Sequence, residues 1–472
     1  MCTHASNVTG DGNDIAQIGT LCEKYNLYFI LDASQTAGTI EIDMEQNHIS
    51  AICFTGHKGL FGPQGTGGIA LADGVCVKPL LSGGSGVHSF ERKHPMELPA
   101  ALEAGTLNGH GIAGLHAALD WIKKTGIAAI HEKEMALAEQ FQRGIETIPG
   151  IHLYGGEKRV AAIVSCNLAD LDSAYVSDCL AEDYGIATRA GVHCAPLMHT
   201  HFGTEKQGMV RFSFSCFNTT EEVEKAVRAM QDIAAENRGK VTAYVGAGGK
   251  TSSIRKRAET LRAEGKRVLI LTTTKMMVPQ EQEIFAAYEQ TGQESVISAT
   301  ASVWQERRAA EKQLKERVQS VLDTYGCCVA GSLIPGTEKF GMLPEKLMED
   351  LLYLADEILI EADGSAHMPV KAPAEHEPVL FPYMDEVVIV MGAHAIGKPL
   401  QKVCHRVDYA KKILKCDADK IVTATDIRVL AEQGYAIPIQ KQFPWMKISK
   451  VTGKDIKLCL TAEKKDKVRD KQ

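Results

Sequence analysis

Phe54-Thr-Gly-His-Lys-Gly-Leu-Phe-Gly-Pro-Gln-Gly-Thr-Gly-Gly68 continues a short apolar run, Ile49 to Phe54, that reads as a buried strand. The run then breaks into glycines around a single lysine, Lys58. Loop glycines let backbone and ligand approach closely, and a lysine just past a strand end reaches into the cleft beyond it. Such a lysine can hold a carbonyl compound as a Schiff base. Taken alone, the pattern also fits a solvated turn.

The upstream context narrows the reading. Tyr28-Phe-Ile-Leu-Asp-Ala33 is a second strand candidate; it ends in Asp32, with Ser34 and Gln35 following. A strand-end carboxylate one strand before a loop lysine suits pyridoxal 5'-phosphate (PLP). The acid keeps the pyridine nitrogen protonated, so that the ring acts as an electron sink, and the lysine holds the aldehyde. Asp32-Ala-Ser-Gln35 and Thr55-Gly-His-Lys58 together resemble the PLP site of class V aminotransferases, specifically cysteine desulfurases. The resemblance continues through Ser6-Asn7, Glu103-Ala-Gly-Thr-Leu-Asn108, Arg189-Ala-Gly-Val-His-Cys-Ala-Pro-Leu-Met198 and Arg211, and covers roughly residues 1–235. It implies that Asn7, Asp32, Gln35, Thr55, His57, Lys58 and Thr106 bind the cofactor. Asn7 would touch its phenolic oxygen, Thr55 and His57 would lie near its phosphate, and Thr106 would reach the partner's phosphate across a homodimer. Arg211 matches the arginine that binds the substrate carboxylate, a task that suits a bidentate guanidinium.

Composition places the chain among ordinary globular proteins. It has 472 residues, 44% of them apolar and 24% charged, with a net charge of −7. Length suggests two to four domains, and the charge gives no nucleic-acid footprint. No apolar run is long enough to span a bilayer, and the N-terminus lacks a signal pattern. Thirteen scattered cysteines, with no Cys-x-x-Cys pair, fit reduced thiols. The expectation is a cytoplasmic protein with no membrane and no nucleic-acid partner.

In order, Gly12 to Asn26 carries Ile15, Ile18, Leu21 and Cys22 at helical spacing, ahead of strands at 27–32 and 49–54. The family's segment ahead of Asn7, with its phosphate turn and ring-stacking histidine, has no counterpart here. The expectation is an N-terminally truncated domain with open strand edges. Helical patterns follow at 111–124 and 132–148, the latter stopped by Pro149-Gly150. Strands are expected around 160–167 and 208–217, and Thr219-x-x-Glu222 reads as a capping box for a helix.

Cys194 sits in a polar loop beside His193. A neighbouring cationic imidazole would favour its thiolate, and the resemblance makes it the sulfur-accepting cysteine of a type II desulfurase. His193, Cys194, His199 and His201 are alternatively possible zinc ligands, although closed zinc sites usually show paired ligand spacings.

A linker near Ala234–Lys240 opens the second half. Thr242-Ala-Tyr-Val245 reads as a strand, Gly246-Ala-Gly-Gly-Lys-Thr-Ser252 as a glycine-rich turn, and Ile254, Ala258 and Leu261 as a helix face. Backbone amides at such a turn, here around Gly246, Gly248 and Gly249, can cradle a phosphate. Lys250 would neutralise its charge and Thr251 would hold Mg²⁺. A Walker A loop has a glycine six residues before the lysine, and this chain has Tyr244 there. Asp356-Glu-Ile-Leu-Ile-Glu-Ala-Asp-Gly-Ser365 is a further strand, with Glu361 and Asp363 at its carboxyl end; Asp363 is the candidate second metal ligand. Further strands are expected at Val387–Met391 and Ile421–Thr425. With Thr272-Thr-Thr-Lys-Met276 and Lys371-Ala-Pro373, these stretches resemble the accessory proteins of selenium-dependent hydroxylases (YqeC-like), over roughly 241–450.

The expected fold is therefore α/β. A partial PLP-dependent transferase of fold type I, with a large-domain remnant (1–125) and a small α+β domain (126–236), precedes a P-loop-like doubly wound α/β domain (241–458) and a charged tail (460–472). The expected function joins the halves. A desulfurase-type domain takes sulfur or selenium from L-cysteine or selenocysteine as a Cys194 persulfide, and a domain binding Mg²⁺ with ATP or GTP aids delivery to an acceptor protein or molybdenum hydroxylase. The alternatives are an inert PLP domain on a nucleotide-binding scaffold, and another class V aminotransferase reaction.

Overall fold

In the computed structural model, which describes residues 1–84, 86, 87, 90–289 and 301–453, the chain divides into two units after Ala234. In the first, the apolar runs on either side of Asp32 and Lys58 become neighbouring strands. β1 (Cys2–Thr3), β2 (Ile30–Asp32) and β3 (Ala51–Thr55) run parallel in that order, and β4 (Gly67–Leu71) pairs antiparallel with β3. α1 (Ile15–Lys24) is capped by Asp14, whose carboxylate accepts the Gln17 N–H at 3.0 Å. Its Ile15, Ile18 and Cys22 pack on Phe29, Leu31, Ala33 and Ile49, as the helical spacing predicts, whereas Leu21, expected on the same face, is exposed. α2 (Gly109–Thr125) and α3 (Ile127–Ile145) meet at Gly126, where φ is 89°.

A second, antiparallel sheet carries β5 (Ile151–Tyr154), β6 (Ile163–Leu168) and β7 (Val210–Ser213). Phe141 of α3 lies against Phe212 and Phe214, with ring centroids 4.3 and 5.4 Å away. α4 (Ser173–Tyr184), α5 (Pro196–Phe202) and α6 (Thr220–Asn237) complete the connections. β7 is shorter than the expected 208–217 because the chain turns: Asn218 Oδ1 accepts the Ser215 N–H at 2.9 Å. The capping box then forms as predicted, with Thr219 and Glu222 exchanging bonds of 3.1 and 3.2 Å.

The second unit is built on one large sheet. Its order is β10 (Met276–Met277), β13 (Lys339–Gly341), β12 (Cys327–Leu333), β9 (Val268–Thr272), β14 (Glu357–Glu361), β8 (Lys240–Gly246), β16 (Glu386–Gly392) and β18 (Lys447–Gly453). β11 (Phe285–Tyr288) also pairs with β12, while β15 (Val370–Lys371) and β17 (Cys404–His405) form a separate pair. The strands β12, β9, β14, β8, β16 and β18 are parallel. Their near-continuous apolar sequences follow from cover on both faces. Side chains alternate between the two sides. Tyr244, Leu359, Val388 and Val390 pack with Ile254, Ala258 and Leu261 of α7 (Lys250–Ala263). Val245, Ile360, Ile389 and Met391 face the opposite core, which includes Val318 of α8 (Ala301–Tyr325) and Leu347 of α9 (Glu345–Leu351).

One expected strand is not in the sheet. Ile421 makes only an isolated bridge to Pro399, beside α10 (Leu400–Val403), and Thr423 caps α12 (Ala424–Val429), which follows α11 (Val407–Leu414). Thr423 and Asp426 form a reciprocal capping box, and this local bonding overrides the β-branched run Ile421-Val-Thr-Ala-Thr425. The place beside β16 belongs to β18.

Candidate active site

In the first unit, parallel pairing places the carboxyl ends of β2 and β3 side by side, with Asp32 opposite Cys53. The turn after β2 packs backbone to backbone on the lysine turn. A Cβ on Gly38 (φ 90°) would lie 2.3 Å from the Gly59 carbonyl oxygen, so only glycine permits this approach. A cleft of about 400 Å³ opens there, lined by Lys58, Asn7, Gln35, Arg189, Cys194 and Arg211, among others. Burial lowers the Lys58 pKa, Asp32 and Cys194 raise it, and the Arg211 and Arg189 guanidiniums lower it further. The predicted lysine, acid, cysteine and arginine thus share one electrostatic neighbourhood.

The other expected residues are placed as follows. Asp32 accepts the Ser34 N–H at 2.9 Å. The Thr55 hydroxyl is buried without a hydrogen-bond partner, as is Arg211 Nε. Arg211 donates from Nη1 to the Asn7 carbonyl at 2.9 Å, and the Asn7 amide donates to the His193 carbonyl at 2.6 Å. His57 is exposed on the lysine loop. Thr106 is also exposed and does not line the cleft.

The Cys194 loop corrects one detail of the sequence reading. His193 is not a cation beside the thiol. Its ring is buried, Nε2 donates to the Arg189 carbonyl at 2.9 Å, and burial pushes its pKa down to about 4. Cys194 instead receives a hydrogen bond from Arg189 Nη2 at 3.4 Å. His193 and Cys194 have φ of 51° and 57°, consecutive left-handed positions of the kind that concentrate at functional sites. For the zinc alternative, His193 and His199 have ring centroids 5.6 Å apart, and His199 is held by Thr204 at 2.9 Å. Among the described residues, no group of three His, Cys, Asp or Glu side chains is placed to hold a metal ion.

Sequence reasoning did not single out Arg189 or Glu134. Glu134 lines the cleft from α3, accepts the Cys216 N–H at 3.0 Å, and has its pKa pushed up to about 7 by burial. Its signal was a charge on an apolar helix face, four residues after Ile130 and four before Ala138.

In the second unit, β8 runs through Tyr244 to Gly246, and the loop to α7 is only Ala247-Gly-Gly249. Gly246, Gly248 and Gly249 all have positive φ, and a Cβ on Gly248 would meet the Pro369 carbonyl oxygen at 2.3 Å. Lys250 is buried; its ammonium donates to the Gly246 carbonyl at 2.7 Å and pairs with Asp363 at 3.3 Å. Asp363 Oδ2 accepts the Gly246 N–H at 3.1 Å and the Tyr435 hydroxyl at 2.9 Å. Lys371, also fully buried, lies 3.5 Å from Asp363 and 2.9 Å from Glu377, which pairs in turn with Arg406 at 3.0 Å. Thr251 donates to Glu361 at 2.9 Å. Among the described residues no helix is long and apolar enough to cross a membrane, and the twelve described cysteines are free.

The first unit therefore has an α/β lysine-and-acid site at adjoining strand ends, and the second a parallel-sheet site at a glycine turn. Comparison with known families agrees with this division. The model of the family "Aminotransferase class-V" matches residues 1–226, and that of "YqeC protein" matches residues 242–408. A protein of Methanothermobacter thermautotrophicus described as "Probable cysteine desulfurase" is 34% identical over 237 residues, 49% of this chain and 59% of that protein. A cysteine desulfurase of Shigella flexneri is 32% identical over 236 residues, 49% of this chain and 57% of that protein. The chain thus spans less than three fifths of the length of these relatives. Among solved structures, cysteine desulfurases from Thermococcus onnurineus and Escherichia coli each show 30% identity and a TM-score of 0.46. They cover 50% of this chain and 59% and 58% of their own chains.

Proposed function

We propose that the first unit binds PLP through Lys58 and mobilises sulfur or selenium from L-cysteine or selenocysteine onto Cys194. The observation that carries this reading is the convergence of Lys58, Arg211 and Cys194 on one cleft, with Asp32 at the neighbouring strand end acting on the Lys58 charge. The residues fit the cofactor: two buried polar atoms, Thr55 Oγ1 and Arg211 Nε, stand without partners where a phosphate and a carboxylate are expected. Lys58 would hold the aldehyde, Asp32 the ring nitrogen, and Asn7 and Gln35 the ring's surroundings. Thr55 and His57 would hold the phosphate, with Thr106 contributing to a second subunit's site in a homodimer. When bound, PLP supplies the electron sink for carbon–sulfur cleavage.

The chain's own groups do the rest. Arg211 receives the substrate carboxylate. A lysine whose pKa is lowered by burial has more neutral amine available to take and return a proton. Arg189 donates to the sulfur of Cys194, which accepts the transferred atom as a persulfide while alanine leaves. The cytoplasm, with its reduced thiols, suits this chemistry.

The test is an absorbance titration of the full chain with PLP. The expected result is a visible band that Lys58→Ala abolishes, with alanine and sulfide released from L-cysteine under reductant. Cys194→Ser should keep the band and lose sulfide release. A band unchanged in Lys58→Ala overturns the lysine assignment. Absence of any band in the wild type supports the inert-domain alternative, and alanine formation that requires a keto acid supports transamination.

For the second unit, the proposed role is binding of Mg²⁺ with ATP or GTP at Gly246–Thr251, in support of selenium-dependent molybdenum hydroxylase maturation. The strand–glycine turn–helix geometry with Lys250 at the helix start supports the phosphate-binding part of this role, and the hydroxylase part rests on the sequence resemblance alone.

A further inference from the structure

Glu361 ends β14 and Asp363 lies two residues beyond it, and the sequence pattern gives the metal role to Asp363. Their surroundings differ. The Asp363 side chain has no exposure and lies in ion-pair range of two buried ammonium groups, Lys250 at 3.3 Å and Lys371 at 3.5 Å, although its Oδ1 accepts no hydrogen bond. Its Oδ2 also receives the Gly246 N–H and the Tyr435 hydroxyl. Those donors come from the phosphate turn, from β15 and from the π-helical turn Leu430–Ala436, so Asp363 ties three remote segments together. Lys371 is further fixed by the Gly364 carbonyl at 2.5 Å and by Glu377. A cation entering at Asp363 would have to displace an ammonium ion from a site closed to water.

Glu361 is also buried, at 8% exposure, but its partner differs. Its Oε2 accepts the hydroxyl of Thr251, and Thr251 is exposed, so this pair stands at the solvent side of the loop. A carboxylate whose hydrogen bond comes from an exposed hydroxyl, beside a phosphate turn, suits Mg²⁺. That ion is usually held by one or two protein ligands together with phosphate oxygens and water.

We propose a division of labour: Glu361 with Thr251 takes the divalent cation, and Asp363 is the positioning residue that holds Lys250 and Lys371 at the loop. This rests on the nucleotide reading of the second unit. It moves the metal role from Asp363 to Glu361.

The experiment is calorimetric titration of the full chain with ATP and with GTP, each with and without Mg²⁺, repeated with Mn²⁺ and followed by electron paramagnetic resonance. For the wild type, Mg²⁺ should tighten nucleotide binding at least tenfold. Glu361→Gln should reduce that gain below about twofold, weaken Mn²⁺ binding in the presence of nucleotide, and leave metal-free binding equal or tighter, because a negative charge near the phosphate is gone. Glu361→Asp should recover part of the gain. Asp363→Asn should lower the melting temperature of the second unit, since two buried ammonium groups lose their counter-charge, yet keep the Mg²⁺ gain. A full gain in Glu361→Gln, or its loss in Asp363→Asn alone, overturns the assignment. Wild-type nucleotide binding indifferent to Mg²⁺ overturns the cation role and leaves the nucleotide reading standing. Binding of neither nucleotide overturns the reading and the assignment together.

Discussion

Replacing Glu134 by Gln should stabilise the first unit, by an amount that grows with pH. Glu134 is buried on α3, and burial raises its pKa from the ordinary 4.5 to about 7 in spite of the Cys216 N–H that it accepts. A carboxyl with a raised folded-state pKa contributes most stability below its unfolded value and loses it as pH climbs toward the folded value. The window is therefore about 4.5 to 7. A rise of roughly 2.5 pH units corresponds to about 3 kcal/mol at 1.36 kcal/mol per unit. Gln keeps an oxygen for the Cys216 N–H and carries no charge to bury. The gain over wild type should be below about 1 kcal/mol at pH 5 and about 3 kcal/mol at pH 8. Urea unfolding of the full chain, followed by pulsed hydrogen exchange on peptides from α3 and β7, isolates this unit from the other. A gain equal at both pH values, or a loss at pH 8, would refute the reasoning.

The remaining predictions concern single contacts. Arg189→Gln should slow iodoacetamide alkylation of Cys194 at pH 7 several-fold, because the sulfur loses its guanidinium donor at 3.4 Å; mass spectrometry of the labelled peptide measures it. Gly248→Ala should destabilise the second unit by at least about 2 kcal/mol, since its φ is 76° and the new Cβ would sit 2.3 Å from the Pro369 oxygen; thermal unfolding tests this. Lys250→Ala should weaken ATP or GTP binding tenfold or more in calorimetry, through loss of a charge-assisted contact at the helix start. Arg211→Met should raise the KM for L-cysteine far more than it lowers PLP binding, as read by steady-state sulfide release and cofactor absorbance.

Much of the site was legible because strand-end chemistry is local in sequence. An apolar run followed by glycines locates a strand end, and Asp32 and Lys58 need only adjacent parallel strands to meet. The alternating faces of β8, β14 and β16 follow from the same two-residue period. The misplaced strand at Ile421–Thr425 shows where such reasoning fails. β-branched composition favoured extension, but the Thr423–Asp426 capping box, a pairing of particular side-chain oxygens with particular amides, decided for helix.

By itself, then, the sequence determined which residues stand at strand ends and which loops carry lysine, cysteine and glycine, since covalent order and periodicity set those. Tertiary structure alone decided what each charge faces. Cys194 meets Arg189 five residues earlier and not the imidazole next to it, because two left-handed residues turn His193 inward to the Arg189 carbonyl. Asp363 meets Lys371 and Tyr435, while Glu361 two residues before it meets Thr251. The energy of a charge depends on its partners and on the water it has lost, and both come from segments remote in the chain.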